Sequence, residues 1–409
     1  MTTPVPPRTD AGNGSGEATP NLIRSLNLRT VLDTIAAADE LSRPEIAALT
    51  GLSLPTAASL IAELERIDLV GHRGQTIGAP GRPAALYSFN ERAGYVFAVD
   101  LGSRKVTAAI ADLNGSILLE ATNATRRSSP GSIVDQISEM HDDLRSRVGL
   151  AKGAVGLASI GVGAVVDPVT SGLRDTNLPE LQEGSFASTL EYALQIPTLI
   201  ENDVNLAAIG EEWKGRAAGL TKFVVMSVGT GTGMGIVVDG EIYRGATGAA
   251  GEIARLPIGP DAADWQGNNG GLFEYTASGS GILRQLETAL EGSSDPSLSK
   301  LVDVRDIFDA ARAGVPEARQ ILDREAAQLA LGVVAAAALL DPQLVVFTGG
   351  IGRQEVLVDA VNDRVASLMP SHPPIVVSQL GTRGTMYGAI AIALGAVRDQ
   401  ILSANSRAD

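Results

Sequence analysis

Apolar residues recur at helical spacing in the part of the chain that follows residue 20. The first series predicts one or two helices ending near residue 39, and its members are Leu22, Ile23, Leu26, Val31, Leu32 and Ile35. A capping box comes next, because Ser42 stands three residues before Glu45 and Pro44 falls in the first turn. This helix should end at Gly51. Residues 1–20 are rich in Pro, Thr, Gly and Ser, and we expect a disordered tail there.

The next helix and the segment behind it predict a winged helix-turn-helix over residues 21–90. Ser53 is placed to cap this helix, whose apolar stripe comprises Ala57, Leu60, Ile61 and Leu64. Two short β-like runs then flank a Gly/Pro loop, which indicates a β wing. In such a module the second helix of the helix-turn-helix meets base edges in the major groove. The candidate DNA contacts are Arg43, Pro55, Thr56, Ser59, Arg73 and Arg82.

The start of that second helix lacks the side chains that make bidentate base contacts. It contains no Arg, Asn or Gln, so a small helical dimerisation or docking domain is an alternative interpretation. Residues 21–90 carry six arginines and seven acidic residues, a near-neutral balance. This balance permits DNA binding but does not by itself indicate it.

From residue 95 the pattern becomes α/β. A buried strand over residues 96–101 contains Asp100, and a hairpin, a helix and a further strand follow. Strands paired by hairpins and then crossed by a helix predict a mixed sheet. Later, Glu201, Asn202 and Asp203 stand at the end of a strand, directly before a helix. Polar groups in that position are where open α/β sheets bind ligands.

A glycine-rich segment follows the strand that covers residues 223–228. Its glycines alternate with Thr230, Thr232 and Met234, and Asp239-Gly240 then signals a hairpin turn. Glycines at this density let the backbone approach an anion or a group of hydroxyls closely. The alternative is a tight glycine hairpin that binds nothing, because short glycine motifs are weak evidence on their own.

Composition bounds the class of protein. The chain has 409 residues, of which 44% are hydrophobic and 19% charged, and it has a net charge of −15. Two or three soluble domains are expected, and no apolar run reaches the ~20 residues of a membrane span. The chain has no cysteine and three separated histidines, so no metal-ligand spacing is present. We expect a cytoplasmic protein that is not coated with nucleic acid and does not associate with a membrane.

Four separated segments together resemble one family. They are DLGSRKVTAAIADLNG, IENDVNLAAIGE, SVGTGTGMGIVVDGEIYRGATGAAGE and LDPQLVVFTGGIG, in the order that the ROK family of repressors, open reading frames and sugar kinases shows. The preceding segment resembles the winged helix of the repressor branch. The resemblance implies a two-lobed actin-like, hexokinase-like (ribonuclease H-like) domain. We place the first lobe at residues 91–205, completed by a C-terminal helix at 385–402, and the second at 206–384.

The resemblance also implies a sugar site between the lobes. Its sugar contacts would be Asn177, Asn202, Asp203, Glu252, Arg255 and Glu274. In family kinases the aspartate at position 203 is the base that deprotonates the attacking hydroxyl; alternatively, Asp203 only caps the helix behind it. The loops that hold nucleotide in family kinases correspond to Asp100, Gly102, Gly229, Gly231, Gly233, Gly349 and Gly350.

Two departures from the family pattern matter for function. Where family kinases have a small Gly-Thr pair for phosphate, Gly102 is followed here by Ser103 and Arg104, which indicates a sensor that has lost phosphoryl transfer. The family zinc ligands, one histidine and three cysteines, fall on Arg255, Trp265, Gly267 and Leu272, so we expect no zinc and no other cofactor.

These observations favour a sugar-responsive transcriptional regulator, specifically a repressor, that works as a homodimer or tetramer on a palindromic operator. Its effector would be a sugar or sugar phosphate. The alternative is a sugar kinase that uses ATP and Mg²⁺, with Asp203 as its catalytic base and the N-terminal domain as an accessory. A weaker third hypothesis is a regulator that has lost small-molecule sensing and responds to a partner protein.

Overall fold

The computed structural model describes residues 20–75, 84–127, 129–176, 178, 181, 186–258, 271–292 and 298–406. Of the tail predicted at residues 1–20, residues 1–19 lie outside the described residues, and Pro20 begins a helix. The chain forms two compact units: residues 1–93 with 399–409, and residues 94–398. Within the described part, no single helix is long and apolar enough to cross a membrane, and one bent pair of helices reaches that limit only by length and composition.

The first unit is a three-helix module with a small antiparallel sheet. Its elements are α1 (Pro20–Ala36), β1 (Leu41–Ser42), α2 (Arg43–Thr50), α3 (Leu54–Arg66), β2 (Val70–Gln75) and β3 (Ala85–Phe89). The sheet order is β1-β3-β2. The sequence predicts the wing strands β2 and β3, whereas β1 was not predicted because two residues are too few to show a period.

Local signals set the ends of α2 and α3 as the sequence predicts. The backbone N–H of Ser42 donates to Glu45 Oε2 over 2.8 Å, which completes the capping box of α2. Gly51 ends α2 with φ of 69°, a conformation that favours glycine. The Ser53 hydroxyl accepts the Thr56 N–H, and Ser53 thereby caps α3. The two helices meet at 110°, within the range of a helix-turn-helix.

The second unit begins with a five-stranded sheet of order β10-β7-β4-β5-β6. Strand β4 pairs antiparallel with β5 and parallel with β7, so the sheet is mixed as predicted. Its elements are β4 (Tyr95–Leu101), β5 (Lys105–Asp112), β6 (Ile117–Ala124), α4 (Pro130–Val148), β7 (Val155–Val162), β8 (Val165–Val166), β9 (Leu173–Arg174), α5 (Phe186–Leu194), β10 (Thr198–Asn202) and α6 (Asp203–Lys214).

A second five-stranded sheet follows, with order β13-β12-β11-β14-β15. Its elements are β11 (Phe223–Val228), β12 (Thr232–Val238), β13 (Glu241–Ile242), α7 (Leu272–Thr276), α8 (Gly279–Gly292), α9 (Val304–Arg312), α10 (Pro316–Leu340), β14 (Leu344–Thr348), α11 (Gly349–Gly352), α12 (Glu355–Leu368), β15 (Ile375–Val377) and α13 (Gly384–Ser406). Two short 3₁₀ helices, Ile253–Arg255 and Leu298–Lys300, complete the set.

The two five-stranded sheets repeat one topology. In each, three strands form an antiparallel meander, a later strand pairs in parallel with the first of them, and a last strand pairs in parallel with that added strand. This duplication is the two-lobed α/β architecture that the resemblance predicts, and it is not visible as a sequence repeat. Each lobe has its own apolar core, the first around Phe97 and the second around Phe273, Phe308 and Phe347.

The glycine-rich segment differs from its predicted form. Strand β12 begins at Thr232, so Gly233 lies inside the sheet opposite Ser227 and not in a loop. A Cβ at Gly233 would stand 3.1 Å from Val204 on α6, and one at Gly235 would stand 2.7 Å from the Val204 carbonyl oxygen. These glycines therefore let α6 pack closely on the sheet, and the loop proper is limited to residues 229–231.

Candidate functional site

The first group of site residues lies at the carboxyl ends of three adjacent strands. Asp100 on β4 is opposite Gly161 on β7, and Glu201 on β10 is opposite the same glycine. Asn202 and Asp203 continue from β10 into α6. The edge of the first sheet thus collects several polar side chains where its parallel strands end, the position at which open α/β sheets bind ligands.

Asp100 and Asp203 are neighbouring carboxyl groups. Burial and, after it, the charge of Asp203 raise the pKa of Asp100 to about 7, and Lys105 opposes the shift. Burial also raises the pKa of Asp203, against hydrogen bonds from the backbone. Both side chains keep some solvent exposure although neighbouring groups surround them densely. Two carboxyls with raised pKa can accept and donate hydrogen bonds to hydroxyl groups.

Asn202, and not Asp203, caps helix α6. Its Oδ1 accepts the N–H groups of Val204 at 2.9 Å and Asn205 at 3.0 Å, and its Nδ2 donates to the Ala164 carbonyl oxygen. The alternative in which Asp203 serves as the cap is therefore wrong. Because the cap takes up most of its polar capacity, Asn202 has one N–H left to offer a ligand.

Glu201 links the end of β10, helix α6 and the second lobe through hydrogen bonds, a role that was not predicted from the sequence. Its buried carboxylate accepts the Asn202 N–H at 2.8 Å, the Asn205 side-chain amide at 3.0 Å and Arg244 Nε at 2.7 Å. Arg244 follows β13 in the second lobe. The ion pair fixes the backbone at Asn202 and Asp203. The sequence signal for this role of Glu201 is an acidic residue at the end of a predicted strand.

Glu252 belongs to a cluster of four acidic residues. Burial raises the pKa of Glu252; Arg255 opposes the shift, and the charges of Asp175, Asp203 and Glu274 add to it. Arg255 Nη2 lies 2.7 Å from Asp175 Oδ2 in an ion pair at the edge of the cluster. The structure therefore brings Asp203, Glu252 and Glu274 together, with Arg255 beside them.

Glu274 is anchored to the glycine loop. Its Oε2 accepts the Thr232 N–H at 3.1 Å, and a Cβ at Gly231 would stand 2.6 Å from the same oxygen. Gly251, with φ of 87°, brings the segment before Glu252 against the Met234 carbonyl. Backbone contacts of the glycine segment thus position two glutamates: Glu274 on α7, and Glu252 directly after Gly251. Asn177, the sixth predicted sugar contact, lies outside the described residues.

A separate cavity of about 300 Å³ lies at the other end of the glycine loop. It contains two of the predicted nucleotide-loop glycines, Gly229 and Gly350, together with the arginine at position 104. A Cβ at Gly350 would meet nothing within 4 Å, so a ligand could approach that backbone closely. The further lining residues include Thr230, Ser280, Leu283, Arg305, Phe308 and Gln354.

The remaining predicted loop positions have other roles in the structure. Gly102 closes the turn between β4 and β5 through its N–H to the Lys105 carbonyl oxygen. Gly349, with φ of 88°, makes a tight turn against the Val228 carbonyl. Arg104, in the turn that Gly102 begins, lines the cavity, where a compact phosphate-binding loop would require small residues.

The residues at the family zinc positions do not fit a zinc ion. Arg255 is exposed and paired with Asp175, and Leu272 is buried in the apolar core. Neither side chain can ligate zinc. The other two positions, 265 and 267, lie outside the described residues. In the described part of the chain, no cluster of three or more histidine or acidic side chains could hold a metal ion.

The candidate DNA contacts lie on the surface of the first unit. Pro55, Thr56 and Ser59 are exposed on α3. The Arg43 guanidinium lies 5.1 Å from the centre of the Tyr87 ring. Arg73 Nε donates to the Ser88 hydroxyl at 3.0 Å, which orients it on the wing. Arg82 is outside the described residues.

Several known proteins are similar to this chain in sequence. The model of the ROK family matches residues 96–396. The xylose repressor of Bacillus spizizenii is 25% identical over 386 residues, which cover 91% of this chain and 96% of the repressor. The glucokinase of Halalkalibacterium halodurans is 28% identical over 274 residues, covering 62% of this chain and 80% of the enzyme.

A solved structure shares the whole fold. It is a ROK family transcriptional regulator described as a homologue of the Escherichia coli MLC protein, with a TM-score of 0.79 and 20% identity. The match covers 93% of this chain and 99% of that regulator. At this level of identity the likeness establishes the fold alone.

Proposed function

The chain belongs to the ROK family, and from this premise we propose that it is a sugar-responsive transcriptional repressor that binds operator DNA through paired winged helices. The observation that carries the proposal is the joining, in one chain, of a helix-turn-helix with a wing to a ROK domain that keeps its carboxylate cluster. Relatives named xylose repressors align over nine-tenths of the chain, whereas the glucokinase aligns over 62%.

The acidic cluster supports an uncharged sugar as the effector. Asp203, Glu252 and Glu274 can each accept hydrogen bonds from adjacent hydroxyls, and Asn202 can donate one. Burial, and after it repulsion from Asp203 and Glu274, raises the pKa of Glu252, and a phosphate placed among these groups would add to the repulsion. We therefore favour a neutral sugar over a sugar phosphate at this position.

Sugar binding would control DNA binding through the geometry of an oligomer. A homodimer, or a tetramer built from dimers, presents two winged helices to the two halves of a palindromic operator. An effector that binds one arrangement of the lobes better than another shifts the population toward it. No zinc or other cofactor takes part in this proposal, because Arg255 and Leu272 replace ligands of the family zinc site.

A mobility-shift experiment tests the DNA-binding half of the proposal. The purified chain should retard a fragment from upstream of its own gene at low salt, and Arg43→Ala should weaken the shift. Arg364→Ala, an exposed arginine on α12, is the matched control and should leave it unchanged. No retardation at low salt, with or without sugars, would contradict the proposal.

A thermal-shift screen tests the effector half. A neutral pentose or hexose should raise the melting temperature, since a ligand at a hundred times its Kd stabilises the folded state by about 2.7 kcal/mol. Glu274→Gln should abolish the shift, while Glu355→Gln, an exposed change on α12, should preserve it. If only phosphorylated sugars raise the melting temperature, the assignment of an uncharged effector is wrong.

An ATP-dependent sugar kinase is the second candidate, and the pair Asp100–Asp203 favours it. A carboxyl with raised pKa beside a sugar hydroxyl is suited to act as a general base. Arg104 in the cavity disfavours it. When bound, ATP with Mg²⁺ would supply the phosphoryl group, and Gly229, Thr230 and Gly350 would contact it. Sugar-dependent ADP release that disappears in Asp203→Asn would establish the kinase.

A further inference from the structure

An apolar groove runs along the exposed face of the helix-turn-helix. It has a volume of about 440 Å³, and its lining includes Leu54, Pro55 and Ala58 of α3 with Ala84 and Ala85 at the start of β3. Arg43 and Pro44, at the start of α2, also line it. Leu54 remains 50% exposed, an unusual position for a leucine at the tip of a helix unless another surface covers it.

Hydrogen-bonding groups are almost absent from this face. The Thr56 hydroxyl lies 2.7 Å from the Ser53 hydroxyl and is engaged in the cap of α3. Among the described residues, Ser59 is the one exposed side chain in the first two turns of α3 whose hydrogen-bonding group has no partner. Direct readout of guanine or adenine by a bidentate side chain is therefore not available to the start of this helix.

Arg43 gives the lining of the groove a positive charge, and the wing carries a second arginine, Arg73. Arg43 lies over the Tyr87 ring and has no ion-pair partner in the described part of the chain. Arg73, on the wing strand β2, donates its Nε–H to the Ser88 hydroxyl. An apolar surface on the same module as arginines suits the major groove of DNA, where bases lie between two phosphate backbones.

We propose that the first turns of α3 recognise thymines by packing Leu54, Pro55 and Ala58 against their C5-methyl groups. The thymine methyl is the apolar group that a base presents in the major groove, and apolar side chains are its natural partners. This inference rests on the proposed DNA-binding function and specifies what the recognition helix reads: a half-site with consecutive thymines and not one read through guanine.

Replacement of thymine by deoxyuridine tests the inference without altering the protein. It removes the methyl group and keeps every hydrogen bond of the base pair. In a fragment that the native chain retards, each contacted thymine replaced by deoxyuridine should weaken binding about fourfold, the equivalent of one buried methyl group. Replacement of thymines outside the protected half-sites serves as the DNA control and should have no effect.

A paired measurement assigns the effect to the groove. In Leu54→Ala, the deoxyuridine penalty should shrink at one thymine of each half-site and persist at the others, because the two changes remove one contact. Leu339→Ala, an 82% exposed leucine on α10, should retain the full penalty. If deoxyuridine leaves the affinity of the native chain unchanged, the inference is wrong while the proposed function stands. If the native chain retards no DNA, both are wrong.

Discussion

The partly buried carboxyl groups of the candidate site determine its behaviour at the scale of single residues. Asp100, Asp203 and Glu252 all have a raised pKa, with burial as the largest cause. Each therefore binds its proton more tightly in the folded chain than in the unfolded one. Such groups contribute stability that is complete below their unfolded pKa and is lost as the pH rises through the folded value.

Asp100→Asn should stabilise the chain at alkaline pH. The folded pKa of Asp100 is about 7, against 3.8 as the ordinary value, so the native carboxyl ionises unfavourably above pH 7. The variant should melt at a higher temperature than the native chain at pH 8 and at a similar temperature at pH 4, in thermal unfolding followed by circular dichroism. Asp363→Asn, an exposed change on α12, should show no such pH dependence.

Glu325 on α10 is a second residue-scale case, and it lies away from the site. It is fully buried in the second lobe, neither carboxyl oxygen has a hydrogen-bond partner, and burial raises its pKa well above the ordinary value. Glu325→Gln should raise the melting temperature by about 2–4 °C at pH 8, where the buried native carboxyl destabilises the folded chain most. The gain should fall toward pH 4. An equal gain at both pH values would contradict the burial argument.

At the scale of elements, the crossing of α6 and α13 depends on glycine. A Cβ at Gly388 would lie 1.8 Å from the Leu206 carbonyl oxygen, and one at Gly210 would lie 2.3 Å from the Gly384 carbonyl oxygen. The helices therefore approach backbone to backbone. This contact holds α6, which begins at Asp203, against the helix that ends the second unit, so it supports the site as well as the fold.

Gly388→Ala should destabilise the chain by about 1–3 kcal/mol, because overpacking forces the backbones apart. The matched control is Gly395→Ala on the same helix, where a Cβ would meet nothing within 4 Å. That control should be neutral or slightly stabilising, since alanine has the higher helix propensity. Denaturant unfolding measures both changes, and equal effects at the two positions would refute the close-packing explanation.

At the scale of the whole molecule, DNA binding must occur on a chain with a net charge of −15. Attraction to DNA is then local and depends on few arginines. If Arg43 and Arg73 of two paired modules each contact one phosphate, about four phosphates are neutralised. A plot of the logarithm of the association constant against the logarithm of salt concentration should then have a slope of about −4. Arg43→Ala should reduce the slope by about 2. A slope unchanged by this variant would place Arg43 away from the phosphates.

The family assignment and the two-lobed α/β fold were predicted correctly from four sequence segments, and the family model and the related structure confirm them. The predicted strand over residues 223–228 and the predicted end of α2 at Gly51 also agree with the structure. The assignment of individual sugar and DNA contacts remains a prediction, and Asn177 and Arg82 lie outside the described residues.

The sequence by itself determined the local features, those that form between residues a few positions apart. The Ser42–Glu45 capping box, the Ser53 cap and the Asp239-Gly240 turn each join residues at most three apart, so their residue types suffice to specify them. The pattern of apolar and polar residues likewise determined which faces of the helices are buried.

Only the tertiary structure decided which distant residues meet. Arg244 binds Glu201 across 43 residues, and Thr232 binds Glu274 across 42. It also placed Gly233 inside a strand under α6 and gave the α6 cap to Asn202. Such contacts depend on sheet register and on how closely two helices pack. These are properties of assembled elements, and no local pattern of residue types encodes them.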